Sequence, residues 1–128
     1  MPAKRRAARD EAQARALSER AQRTARAADV EAQIERAYAG VREAEQSLAL
    51  YENRLLPLAE DSLLAAQTDY QADRIDFLAL INSERLLHQT RLDYAQIRSD
   101  YHRRWAALEH AVADPDAFST GHTGRDTR

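Results

Sequence analysis

Residues 30–58 read VEAQIERAYAGVREAEQSLALYENRLLPL. Apolar or small side chains recur there at steps of three and four: Val30, Ile34, Ala37, Val41, Ala44, Leu48, Tyr51, Leu55 and Leu58. An α-helix turns once in about 3.6 residues, so this spacing draws one apolar stripe down one side of a helix. Sustained over about four heptads, the stripe predicts coiled-coil packing. A second line, Leu56, Leu63, Ala66 and Tyr70, continues beside the first. Worked outward, the pattern predicts one helix from about residue 3 to residue 70. Two residues interrupt it. Gly40 costs about 1 kcal/mol relative to alanine. Pro57 lacks a backbone N–H and its ring crowds the preceding turn, which predicts a kink between Asn53 and Pro57. Before Val30 the chain has many alanines and few large apolar residues, so this end buries little area.

On the other side of the stripe, residues 71–76 read Gln-Ala-Asp-Arg-Ile-Asp, a polar break between two helical patterns. Asp73 and Asp76 both offer a carboxylate to cap the next helix by accepting from its free N–H groups, and Asp76, just before the run Phe77-Leu78-Ala79-Leu80-Ile81, suits the N-cap better. A second helix then runs from about residue 77 to residue 113. Its stripe is Leu80, Leu87, Tyr94, Ile97, Tyr101, Leu108 and Ala111, with Ser83, Thr90 and Arg104 at the intervening seam positions. Asp114-Pro115 ends that helix, and the remaining residues to 128, without period or apolar run, are expected to be disordered. The fold class expected is all-α without β-strands: a long two-helix coiled-coil hairpin in which the helices run antiparallel.

Composition narrows the function. Gly and Pro number three each, few enough to leave long helices unbroken. Net charge is −2, which gives no electrostatic reason to expect nucleic acid as the main partner. Cysteine is absent, which removes disulfide and thiolate chemistry. No segment approaches the ~20 apolar residues a membrane-spanning helix needs, so no membrane insertion by this segment is expected. The first sixteen residues lack the apolar core of a secretory signal.

Candidate chemical sites are sparse. Glu84 and His88 share a helix face at a four-residue step, but two ligands without a third make a poor metal site. There is no phosphate-binding glycine loop and no nucleophile elbow. The carboxylates have arginines at helical spacing, which reads as a charged surface rather than acid–base machinery. Arg5, Arg6, Arg9, Arg15, Arg20, Arg23 and Arg26 form a basic stretch, diluted by Asp10, Glu11 and Glu19 and without aromatic residues to stack on bases. No catalysis, cofactor or metal is expected.

Several stretches resemble, in order and spacing, the last helical hairpin of TolC-like outer-membrane efflux proteins. They are Tyr51-Glu-Asn-Arg-Leu-Leu-Pro57-Leu-Ala-Glu60, Tyr70-Gln-Ala-Asp-Arg-Ile-Asp-Phe-Leu-Ala-Leu-Ile-Asn-Ser-Glu-Arg85-Leu-Leu, Tyr94-Ala-Gln-Ile-Arg-Ser-Asp-Tyr101 and Leu108-Glu-His-Ala-Val112. Pro2-Ala-Lys-Arg-Arg-Ala7 looks like the family's segment after its second β-hairpin, so the likeness covers about residues 2–113. It is nearest to the heavy-metal and drug branches served by RND-type pumps.

The resemblance implies a subunit of a homotrimeric duct, with a β-barrel in the outer membrane and helices forming a periplasmic tunnel. Partners would be a periplasmic adaptor and an inner-membrane RND-type pump. The turn between the paired helices would be the adaptor-docking tip, here Tyr70, Asp73, Arg74, Ile75 and Asp76. The seam residues would be Val30, Ile34, Val41, Leu48 and Leu55 on one helix, and Leu80, Leu87, Tyr94, Ile97, Tyr101 and Leu108 on the other. Two departures stand out. Asp73 replaces the family's tip glycine, and Ala79 and Asn82 replace acidic residues near the tip. The first repeat and the β-strands of such a duct have no counterpart here, so the chain reads as a truncated fragment of one. The other reading is a freestanding coiled-coil interaction protein with no transport role.

Overall fold

A computed structural model of the chain describes residues 1–114; the expected tail beyond Asp114 lies outside the described residues. These residues are helical apart from the ends and one turn, with no strand among them. The order is α1 (Pro2–Leu50), a π-helical turn (Tyr51–Leu55), α2 (Leu56–Gln71) and α3 (Phe77–Ala113). The first three form one uninterrupted run, and α3 packs against both α1 and α2. Contacts descend along one helix as they ascend along the other. Arg104 bonds to Gly40 and Glu43, Tyr94 to Glu52 and Arg91 to Glu60, while the Tyr70 and Phe77 rings meet beside the turn.

The π-turn changes how the seam reads. The Leu56 N–H bonds to the Tyr51 carbonyl, five residues back instead of four. Pro57, just inside α2, has no N–H to offer the preceding turn, and a widened turn relieves the crowding of its ring. One extra residue is thereby absorbed between Tyr51 and Leu56. The two apolar lines visible in the sequence are joined end to end: Val30, Ile34, Ala37, Val41, Ala44, Leu48 and Tyr51 lead into Leu56, Ala59, Leu63 and Ala66. All of these are buried or half-buried, as is Leu55 at the crossover. Leu58, which the plain repeat puts in the seam, is 63% exposed, and Ala59 takes its place at 4%. The irregularity falls where the kink was expected and takes the form of a π-turn.

On α3 the positions Leu80, Ser83, Leu87, Thr90, Tyr94, Ile97, Tyr101, Arg104, Leu108 and Ala111 are all buried or half-buried. Thr90 satisfies its hydroxyl by donating to the Leu86 carbonyl at 2.8 Å. The core is thin. Its buried apolar residues are Val41, Ala44, Ala59, Ala66, Leu87 and Ala111, four of them alanine. Alanine brings little apolar area out of water, so Leu87 carries a large share of what the seam contributes.

The segment of α1 before Val30 has no packing neighbour among the described residues. Every residue from Met1 to Asp29 is exposed. As a helix it projects ~42 Å beyond the paired region.

Candidate interaction surfaces

The turn at the closed end is built by a specific backbone device. The Arg74 N–H bonds to the Asp69 carbonyl at 2.8 Å, and the Asp73 N–H bonds to the Tyr70 carbonyl at 3.0 Å. This pair of bonds is the Schellman arrangement, which needs a left-handed residue just past the helix end. Asp73 supplies it, with φ 54, the one positive-φ residue other than glycine among those described. Asp tolerates this conformation by local hydrogen bonding, at more cost than glycine. Arg74 closes the turn with an ion pair to Asp69 at 3.1 Å. Asp76 is the N-cap of α3, and its carboxylate accepts from the Ala79 N–H at 2.9 Å. Ile75 is half-buried, whereas Tyr70, Phe77 and Leu78 are exposed. Of the five proposed tip residues, Arg74 and Asp76 are engaged in building the turn, and Asp73 shapes its backbone.

The paired helices close on one edge and open on the other. On one edge of the seam Gln33, Gly40, Ser47 and Ser62 of the first run and Ala79, Asp93 and Asp100 of α3 are half-buried. At this closed edge Arg104 reaches across. Its guanidinium donates to the Gly40 carbonyl at 3.0 Å, to Glu43 at 3.2 Å and to Asp100 at 2.8 Å. The bonds to Glu43 and the field of Asp100 hold Arg104 above the ordinary arginine value, so it stays charged. An arginine at a seam position is accommodated because backbone and carboxylates satisfy it together.

On the other edge, residues just after seam positions are exposed at Glu31, Tyr38, Glu45, Glu52 and Glu60 on the first run, and at Arg91, Arg98, Trp105 and Val112 on α3. Two bonds cross this open edge. Arg91 pairs with Glu60 at 3.3 Å, and the Tyr94 hydroxyl donates to Glu52 at 2.6 Å. The bond to Glu52 raises the Tyr94 phenol above its usual value, with burial adding to the effect and Arg98, seated over the ring, opposing it. Beyond those bonds the edge presents the aromatic rings of Tyr38 and Trp105 among carboxylates at seven-residue spacing. The basic stretch singled out in the sequence lies on the unpaired part of α1. There Arg15 pairs with Glu11 at 2.6 Å along the helix.

No group of three or more metal-ligating side chains exists among the described residues. Glu84 and His88 are both exposed on α3. A hollow of about 610 Å³ beside Arg98, His102 and Arg103 has every wall residue on α3, so it encloses nothing. No described helix is long and apolar enough to cross a membrane. What the described surface offers is helix faces. No family model, curated protein or solved structure matches the chain.

Sequence reading missed two features. The junction of the two apolar lines was signalled by the five-residue step from Tyr51 to Leu56 just before Pro57. The open edge was signalled by the heptad spacing of Glu31, Tyr38, Glu45 and Glu52, which a search for apolar periodicity passes over.

Proposed function

We propose that this chain is a wall element of a larger helical conduit: an antiparallel helical hairpin of the kind found in TolC-like outer-membrane efflux ducts. In that role it catalyses nothing. It contributes tunnel helices to a homotrimeric parent in the outer membrane and periplasm, and solute passes through without chemical change. The work of export comes from an inner-membrane RND-type pump joined through a periplasmic adaptor. The observation that carries this reading is Asp73. It holds the left-handed conformation of a Schellman turn at the position where the resemblance puts a glycine. A left-handed residue is what a glycine at that position would accommodate without a Cβ penalty, which supports the reading. The thin core adds support. Leu58, Leu64, Phe77, Leu78, Leu86 and Leu92 are exposed, as suits a hairpin that packs against neighbours.

A chimera tests the proposal. Residues 30–113 replace the last hairpin of a TolC-type duct, and export is scored as resistance to a pumped drug. Restored export that Arg74→Glu weakens supports the reading. A chimera that reaches the outer membrane as a trimer, yet neither exports nor binds adaptor, overturns it. The freestanding interaction protein remains the second reading. The exposed arm of α1 before Val30 favours it, because an arm with no neighbour among the described residues suits a protein that works by joining chains.

A further inference from the structure

The face of α1 that packs on α3 changes character beyond Val30. Continued toward the N-terminus at the same three-four steps, it reads Ala27, Arg23, Arg20, Ala16, Gln13, Arg9 and Arg6, all exposed. Residues 1–29 hold eight basic and four acidic side chains, whereas residues 30–114 hold nine basic and fifteen acidic. A cationic arm thus extends from an anionic hairpin. The arm points away from its own hairpin, and charges separated by more than ~8 Å are screened at physiological salt, so most of the hairpin's carboxylates do not offset the excess of basic over acidic side chains that the arm keeps.

The spacing on the two parts matches. Arg9 and Arg23 stand fourteen residues apart with the small Ala16 midway. Glu31 and Glu45, on the open edge, also stand fourteen residues apart, with the exposed Tyr38 midway. Each interval is ~21 Å of helix. The two sets lie symmetrically about Ala27 on one helix and occupy neighbouring strips of its surface.

We propose that two copies of this chain pair along α1 in opposite directions, with the two Ala27 residues at a two-fold axis. Arg9 then faces Glu45 of the second copy, Arg23 faces its Glu31, and Ala16 makes room for its Tyr38. Each contact occurs twice, as an isologous interface requires. The arm of each copy lies along the open edge of the other, over Trp105 and Val112, and apolar area there leaves water. Pairing in the same direction sets arginine against arginine and glutamate against glutamate, so charge selects the direction. This inference does not rest on the duct reading, whose subunits would run in one direction around a shared axis.

The chain has no cysteine, which makes a disulfide test clean. Ala27→Cys, Ala16→Cys and Tyr38→Cys are made singly in the full chain and oxidised at low protein concentration. The expected result is a covalent dimer from Ala27→Cys alone, none from either of the other two alone, and a covalent dimer when those two are mixed. Sedimentation equilibrium supplies the energetic arm. The double substitution Glu31→Arg with Glu45→Arg should raise the dimer dissociation constant about tenfold or more, with helix content unchanged. Adding Arg9→Glu and Arg23→Glu to the same chain should restore pairing. Equal cross-linking by all three single cysteines overturns the proposal in favour of parallel pairing. A wild-type monomer at tens of micromolar, or charge reversal without effect, overturns it outright.

Discussion

Deleting Asn53 should be tolerated, and a deletion elsewhere in the seam should not. The π-turn absorbs one residue between Tyr51 and Leu56. Removing Asn53 leaves an ordinary four-residue step, and Leu56, Ala59, Leu63 and Ala66 keep their places against α3. Pro57 would then sit inside a regular helix, so the deletion is combined with Pro57→Ala, which also removes a penalty of up to ~3 kcal/mol. The melting temperature should stay level or rise. Deleting exposed Gln96 from α3 is the contrast, because α3 has no widened turn to give up. One half of its seam rotates by ~100° relative to the other. If the half before the deletion turns out, Leu87, now 6% exposed, loses ~2 kcal/mol of burial, and half-buried Leu80 and Tyr94 lose ~1 kcal/mol each. A cost of ~4 kcal/mol is a large share of the stability a small domain has. Circular dichroism during urea unfolding, at one fixed protein concentration, reads both variants. The reasoning fails if the Asn53 deletion with Pro57→Ala costs as much as the Gln96 deletion.

Other outcomes follow from single side chains. Leu87→Ala should destabilise by ~2–3 kcal/mol in urea unfolding, the low end for such changes because a two-helix seam collapses easily around a void. Asp73→Gly should stabilise by ~1 kcal/mol, since glycine adopts the left-handed conformation without a Cβ penalty; an unchanged or lower unfolding midpoint would count against the turn described. Asp76→Ala should cost ~1 kcal/mol through loss of the bond to the Ala79 N–H, with the first turn of α3 exchanging its amides faster. Tyr94, its phenol held up by Glu52, should ionise at higher pH than a free tyrosine in an ultraviolet titration. Its contribution to stability is present below the free tyrosine value and is lost as pH rises through the raised folded value; Tyr94→Phe should remove that dependence.

Much of this fold was legible in the sequence because helix packing writes itself as period. The stripe from Val30 to Tyr51 and the ten seam positions from Leu80 to Ala111 are set by the helical repeat alone. A polar break followed by Asp76 marked the turn and its cap. Leu58 was misplaced because a π-turn shifts the register by one residue, and periodicity counted at fixed steps runs straight through such a shift. Arg104 was legible as a seam position but not as a bonded one. Its partners, Gly40 and Glu43, lie more than sixty residues away, and which carbonyl a long guanidinium reaches depends on how the two helices are set against each other. The open edge was hidden for a related reason. Glu31, Tyr38, Glu45 and Glu52 mark that edge at seven-residue steps, but apolar periodicity passes over them, and how the helices lean decides which side of the seam opens.

The pairing direction of the two long helices underlies the conduit reading and the arm-crossed dimer alike, and one distance measurement tests it. Spin labels are placed at exposed Glu45 and Arg98 in one chain, and at Glu45 and Asn82 in another, each diluted with unlabelled protein so that only distances within a chain are read. An antiparallel hairpin with its turn at residues 72–76 brings Glu45 beside Arg98, at the ~8–10 Å axis separation of packed helices plus the label arms. Asn82 lies sixteen residues before Arg98 on α3, ~24 Å nearer the turn. The Glu45–Arg98 distance should therefore be clearly the shorter. A shorter Glu45–Asn82 distance, or two distances both beyond ~40 Å, would contradict the hairpin.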